Sequence, residues 1–325
     1  MPRKLRLEYP GARYHIINRG NYRSDVFATD STKAAFEKCL FEAAENWGWL
    51  VYAFVLMRNH FHLAIATPQA NLVVGMQWLE STFANRFNRL RREHGHLFQG
   101  RYRALLIGGD AALGEVCDYI HLNPVRPKIV TMAELPNFRY SSFWYGPRPA
   151  LRPVFLQLRE TLAAVGPFED DSVGWANYSV HLTNELEAER PGQRRYVHLT
   201  DGWAIGSDAF KANLIEKYAP IGYPRAWSLP GAMQMREAQW QIELNKALLA
   251  LKRTSEDARV CPKSEVWKLS IATWMRDTTR AENKWLSAQL NLGSPSVISR
   301  NLAKYRCRYQ AGDPSWRMLT SSFAT

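Results

Sequence analysis

The segment WLVYAFVLMRNHFHLAIAT, Trp49 to Thr67, decides how the first part of this chain folds. Trp49 to Met57 is a run of aromatic and β-branched residues, the composition of a buried strand. After the polar break Arg58-Asn59, the stretch from His60 to Thr67 alternates as a second strand does, and two strands joined so closely predict a hairpin. Upstream, YHIINRG (Tyr14 to Gly20) predicts a short apolar strand ending in a glycine turn. Asp30 and Ser31 offer an N-cap for a helix with Phe36, Leu40, Phe41 and Ala44 on its apolar face. Downstream, a long helix is expected from about Asn71 to His94, with Val74, Trp78, Phe83 and Phe87 at helical spacing. RYRALLI (Arg101 to Ile107) predicts a fourth strand closed by Gly108-Gly109. A further helix should run from Asp110 to Asn123, where Pro124 stops it. The order β-α-β-β-α-β plus a helix predicts an α+β domain of ferredoxin-like type: a four-stranded antiparallel sheet with two helices on one face.

A chain of 325 residues allows more than one such domain. The expected division is a catalytic domain over 1–146, a linker and helical region over 147–260 opened by Pro147, Pro149 and Pro153, and a last module over 261–325. In that module KWLSAQLNLGSPSVISRNLAKY (Lys284 to Tyr305) reads as helix, glycine turn at Gly293, helix. Ala288 is expected to pack between the two helices, Ser294 to cap the second, and Val297, Ile298 and Leu302 to face inward. Arg300, Lys304, Arg306 and Arg308 would lie on or beyond the exposed side, which resembles a DNA-binding helix-turn-helix; a plain αα-hairpin fits the pattern nearly as well.

Charge narrows the partners. The formal net charge is +12, with 19 Lys/Arg against 12 Asp/Glu in residues 1–150, 13 against 14 in 151–260, and 10 against 4 in 261–325. Two basic ends flank a neutral middle, a distribution that attracts polyanions such as nucleic acid. No apolar run approaches the roughly 18 residues of a membrane span. The basic start has no apolar stretch behind it, so no signal peptide is expected. Cys39, Cys117, Cys261 and Cys307 form no CxxC pair, which points to reduced thiols and a cytoplasmic location.

Two local patterns carry chemistry. His60 and His62 bracket Phe61 on a strand, so both imidazoles share one face and Phe61 takes the other. Paired imidazoles are half of a metal site. His94-Gly95-His96 has the same spacing but falls in a polar break with no strand to align it, and reads as surface or phosphate-facing. In CDYIHLNPVR, Tyr119 and Asn123 are four apart and stack on one helical face. His121 faces elsewhere, with a structural role or a phosphate contact. A phenol with a pKa of about 10 is a poor nucleophile at neutral pH. It becomes competent when a divalent cation polarises a phosphate beside it. His60, His62 and the Asn123 amide oxygen offer three ligands of mixed nitrogen and oxygen type, which suits Mn²⁺ or Mg²⁺ better than a closed structural zinc site.

These stretches resemble a known family. FVLMRNHFHLAI (Phe54 to Ile65) is similar to the HUH strand of single-strand DNA transposases that use one tyrosine. YHIINRGNYRSDVF, FQGRYRALLI, YIHLNPVR and FRYSSFWYG (Phe138 to Gly146) resemble, in order, stretches of the branch called REP-associated tyrosine transposases. WLSAQLNLGSPSVISRNL looks like the C-terminal helix-turn-helix of its longer members. The resemblance implies Mg²⁺ or Mn²⁺ on His60 and His62, Tyr119 as nucleophile, and Asn123 as third ligand at a position where relatives often carry glutamine. It implies a 5′-phosphotyrosine intermediate and, as partner, single-stranded DNA with hairpin or palindromic ends, with the protein acting as monomer or homodimer. The pair is often preceded by Pro-Asn in relatives, whereas here Arg58-Asn59 stands, and Arg58 is an expected phosphate contact. Arg86, Arg89, Arg91 and Arg92 on the long helix, Arg101 and Arg103 on the fourth strand, and Arg300 and Lys304 near the end complete the expected DNA contacts. The rival readings are a catalytically idle DNA-binding regulator on the same fold and a metallohydrolase that uses the histidine pair to activate water.

Overall fold

The computed structural model describes residues 7–188, 196–218, 230–279 and 281–322. The basic start, residues 1–6, lies outside them. The chain divides into two compact units: one holds the residues up to Lys211, and the other holds most of those from Ala212 on.

In the first unit β1 (Ala12–Arg19), α1 (Asp30–Trp47), β2 (Leu50–Leu56), β3 (His60–Thr67), α2 (Leu72–Arg91), β4 (Arg103–Ile107) and α3 (Gly109–Leu122) follow the expected order. Beyond them come α4 (Ser142–Tyr145), α5 (Leu158–Val165), α6 (Ser172–Glu187), α7 (Val197–Thr200) and β5 (Ala204–Ile205), while α8 (Asp208–Tyr218) begins in the first unit and ends in the second. The sheet runs β2-β3-β1-β4-β5. The first four strands pair antiparallel, as the hairpin pattern predicts. The fifth does not fit the expected four-stranded antiparallel sheet: Ala204 and Ile205 pair parallel to Leu106 and Ile107, so the sheet is mixed. Two residues are too few to show an alternation, and an edge pairing contributed from almost a hundred residues away is set by tertiary contact.

Alternation on β3 sorts the two layers. Phe61 enters the face covered by α1 and α2, where it meets Phe27 and Phe36, and Phe83 of α2 closes the group. These rings are fully buried, and each contributes roughly 3 kcal/mol of apolar transfer. The opposite face, with Tyr52, Val55, Ala64, Ala66, Leu105 and Ile107, packs on Leu113, Val116 and Ile120 of α3. Helix α3 is pinned from behind by α5 at Gly114, where a Cβ would sit 2.4 Å from the Ala164 carbonyl oxygen. Sandwiched between sheet and α5, α3 has its register fixed, and that register places Tyr119.

Details differ from the sequence reading for local reasons. Thr29, not Asp30 or Ser31, caps α1, in a reciprocal box with Thr32. Phe36, Leu40 and Ala44 of α1 are buried while Phe41 is half-buried. On α2 the buried stripe is Leu72, Met76, Leu79, Phe83 and Phe87; Val74 is exposed and Trp78 half-buried, because the stripe lies a residue or two away from the spacing expected.

The second unit is helical: α9 (Pro230–Ala250), α10 (Ser255–Val260), α11 (Val266–Thr279), α12 (Asn283–Leu290), α13 (Pro295–Arg308) and α14 (Pro314–Ser322). Its core joins Ile271 and Met275 to Leu286, Leu290, Ile298, Leu302, Tyr305 and Leu319. The turn between α12 and α13 uses left-handed backbone at both Asn291 and Gly293. Ser294 stands at the N-cap position, followed by Pro295 in the first turn. Ala288 and Val297 are exposed, against expectation; Leu286, Leu290 and Ile298 do the packing.

Candidate active site

Register brings the site together. In the β1–β3 ladder Arg19 faces His60 and Ile17 faces His62, so His15, Ile17 and Arg19 share the α3 side of the sheet with the two histidines. Across that face α3 presents Tyr119. Its ring lies edge-on to His62 at 5.3 Å between centroids, and the His60 and His62 rings are 5.1 Å apart. Asn123 stands at the C-cap position of α3, one turn beyond Tyr119, and its amide lies near both the Tyr119 phenol and His60. The structure thus gathers His60, His62, Tyr119 and Asn123 from a strand and a helix some 60 residues apart in sequence.

His60 donates its Nδ1–H to the Asn59 side-chain oxygen at 2.8 Å. Burial, with Arg19 nearby, lowers its pKa to about 4, and the neighbouring Asn123 amide opposes the shift only in part. His62 is 3% exposed, and burial first, then the repulsion that a second proton among His15, His60 and His62 would meet, with Arg19 adding to it, hold its pKa well below the ordinary value. Both rings are therefore neutral at physiological pH, the protonation state in which an imidazole carries a lone pair for a metal. Among the described residues no group of three or more His, Cys, Asp or Glu side chains is placed to hold a metal. The candidate donor set is instead two neutral imidazoles and an amide oxygen, with no thiolate, which leaves coordination positions open around a divalent cation. Tyr119 has its pKa raised by burial, and Asn123, Arg126 and Arg19 pull the other way.

Three residues here were not singled out in the sequence. His15, wholly buried, contacts His62. Arg19 and Arg126 supply the positive field, and the Arg126 guanidinium lies over the rings of both Tyr119 and Tyr196, 5.6 and 4.8 Å from their centroids. The signal for His15 and Arg19 was present in the alternation of YHIINR, which puts both on the histidine face. No local pattern marks Arg126.

The expected DNA contacts are placed differently. Arg58 pairs with Asp25 at 2.7 Å, Arg86 with Glu42 at 2.8 Å, Arg91 with Glu93 at 2.9 Å and Arg103 with Asp201 at 2.8 Å. Such partly exposed pairs contribute about 1 kcal/mol or less. Arg89, Arg92 and Arg101 are exposed, as are Arg300 and Lys304 in the second unit. His94 and His96 are exposed in the loop after α2. His121 is structural: it is fully buried, bonded to the Tyr178 hydroxyl and to Ser142 Oγ, both at 2.8 Å. The four cysteines are free thiols, Cys39 and Cys117 buried and Cys307 exposed. No helix among the described residues is long and apolar enough to cross a membrane.

A mixed sheet backed by helices, with a histidine pair on one central strand and a tyrosine on the facing helix, sits in a stretch whose sequence defines its class. Residues 8–123, from just before β1 to the end of α3, match the family model described as transposase IS200 like. Residues 8–123, 116 of the 325 in the chain, are therefore similar to the IS200-like transposase family. Among solved structures, the REP-associated tyrosine transposase bound to a REP hairpin aligns with 17% identity over 47% of this chain and 89% of its own, with a TM-score of 0.38. A transposase candidate from Deinococcus radiodurans R1 aligns with 22% identity over 37% of this chain and 95% of its own, with a TM-score of 0.28. No curated protein matches the chain.

Proposed function

We propose that this chain cuts and rejoins single-stranded DNA through a covalent bond to Tyr119, as a transposase of the REP-associated branch. The observation that carries the reading is the meeting of Tyr119, Asn123 and the His60–His62 pair on one face of the sheet. In the reaction the Tyr119 oxygen bonds to phosphorus, the bond from phosphorus to the 3′ oxygen breaks, and the phenol proton ends on the departing 3′ hydroxyl by way of water. The 5′-phosphotyrosine so formed keeps the bond energy, and a second 3′ hydroxyl reverses the step to rejoin strands. A divalent cation held by His60, His62 and Asn123 would polarise the phosphate and offset its charge. The protein's own share is to hold the phenol beside the Asn123 amide, to stabilise negative charge with Arg19 and Arg126, and to keep the two imidazoles neutral.

We further propose that α12 and α13 of the second unit form a helix-turn-helix that contacts DNA through Arg300 and Lys304, within a module spanning 261–325 and joined to the catalytic domain of 1–146 by the region 147–260. The substrate would be a single strand with hairpin or palindromic ends, and the setting cytoplasmic.

The test is incubation with 3′-labelled single-stranded hairpin oligonucleotides of varied flanking sequence and Mn²⁺. A covalent protein–DNA adduct is expected on denaturing gels, absent in Tyr119→Phe and in samples with chelator. An adduct that persists in Tyr119→Phe removes the nucleophile assignment. Hairpin binding with no adduct under any condition favours the regulator reading, and cleavage without an adduct favours water as the attacking group.

A further inference from the structure

His15 lies in the middle of β1 and is wholly buried. Its Nδ1 is 2.7 Å from the Leu199 carbonyl oxygen, and its Nε2 is 3.0 Å from Nδ1 of His62. The two rings are near-parallel, 28° apart, with centroids separated by 5.2 Å. Leu199 belongs to α7, a short helix that ends just before β5 joins the sheet.

Hydrogen-bond direction runs through this chain of groups in one sense only. A carbonyl oxygen accepts and never donates, so the proton between His15 and Leu199 belongs to His15 Nδ1. A neutral imidazole carries one N–H, so the other nitrogen of His15 offers a lone pair, and Nδ1 of His62 must be the donor to it. His62, neutral in turn, is left with its Nε2 bare. Two Nδ1–H bonds, one from His62 to His15 and one from His60 to Asn59, then leave both members of the pair with Nε2 as the ligating atom.

We propose that His15 is a positioning residue that holds His62 in the tautomer whose Nε2 lone pair can bind a metal, using the α7 carbonyl of Leu199 as the fixed reference. This rests on the proposed metal-binding role of the pair and adds the group behind it. Outer partners of this kind set ring orientation and ligand basicity, and their loss typically weakens metal binding about 10–100-fold. The chain also ties the site to a segment outside the family match, since Leu199 lies far beyond residue 123.

Two measurements on the full chain test it. In the metal-free protein labelled with ¹⁵N-histidine, long-range proton–nitrogen spectra should show His62 protonated at Nδ1 and bare at Nε2. The opposite tautomer overturns the proposal and leaves the metal reading standing. Mn²⁺ binding without DNA, followed by the paramagnetic resonance of free Mn²⁺, should weaken about 10–100-fold in His15→Phe. His15→Gln keeps an acceptor for His62 and should bind within a few-fold of the parent. If His15→Phe folds and binds Mn²⁺ as the parent does, or if Gln fails to rescue a weakened Phe variant, the positioning role is refuted. If the parent itself takes up no Mn²⁺, the metal reading fails and this proposal falls with it.

Discussion

Acidification should unfasten the first unit through His121, and the size of the effect follows from its surroundings. The ring is fully enclosed between the Tyr178 hydroxyl and Ser142 Oγ, and burial lowers its pKa from 6.5 to about 3. The unfolded chain takes up a proton at His121 as pH falls through about 6.5, while the folded chain does not until about pH 3. Stability from this group is therefore complete above pH 6.5 and is lost progressively on the way down. At pH 4.5 the two states differ by about two pH units of proton binding, or roughly 3 kcal/mol. The perturbation is His121→Asn, which can still donate and accept but does not titrate. The assay is urea unfolding at pH 7.0 and 4.5, read by pulsed hydrogen exchange of peptides from α3 and β2. The parent should lose about 3 kcal/mol more than the variant between the two pH values. Equal losses would mean that His121 is not the neutral buried ring described here.

Three further outcomes follow. Arg126→Met removes the guanidinium over Tyr119 and should slow single-turnover cleavage about 100-fold while leaving hairpin affinity within a few-fold; an unchanged rate would take Arg126 out of the reaction. Gly114→Ala drives a methyl group into the α5 backbone and should cost about 1–3 kcal/mol in chemical denaturation, with loss of cleavage as α3 shifts; a stability equal to the parent's would show that α5 yields freely. Arg300→Ala and Lys304→Ala should each lower the slope of log affinity against log salt by about 1 for duplex DNA, and unchanged slopes would leave α12–α13 as a structural hairpin.

Periodicity made the local structure legible. The apolar run before Arg58-Asn59 and the alternation after it determined the hairpin and the shared face of His60 and His62, because a strand has no freedom to turn one of two residues two apart away from the other. The four-residue spacing of Tyr119 and Asn123, with Pro124 behind them, determined that the phenol and the amide stack at the end of a helix. What tertiary structure alone decided is everything that depends on chain segments meeting. The edge strand Ala204–Ile205 carries no pattern of its own and exists because β4 has an open edge. Arg126 reaches Tyr119 only because the chain turns back after Pro124. The Leu199 carbonyl touches His15 across an interval of 184 residues. A backbone carbonyl is the same in every residue, so nothing in a sequence marks the one that will fix a proton.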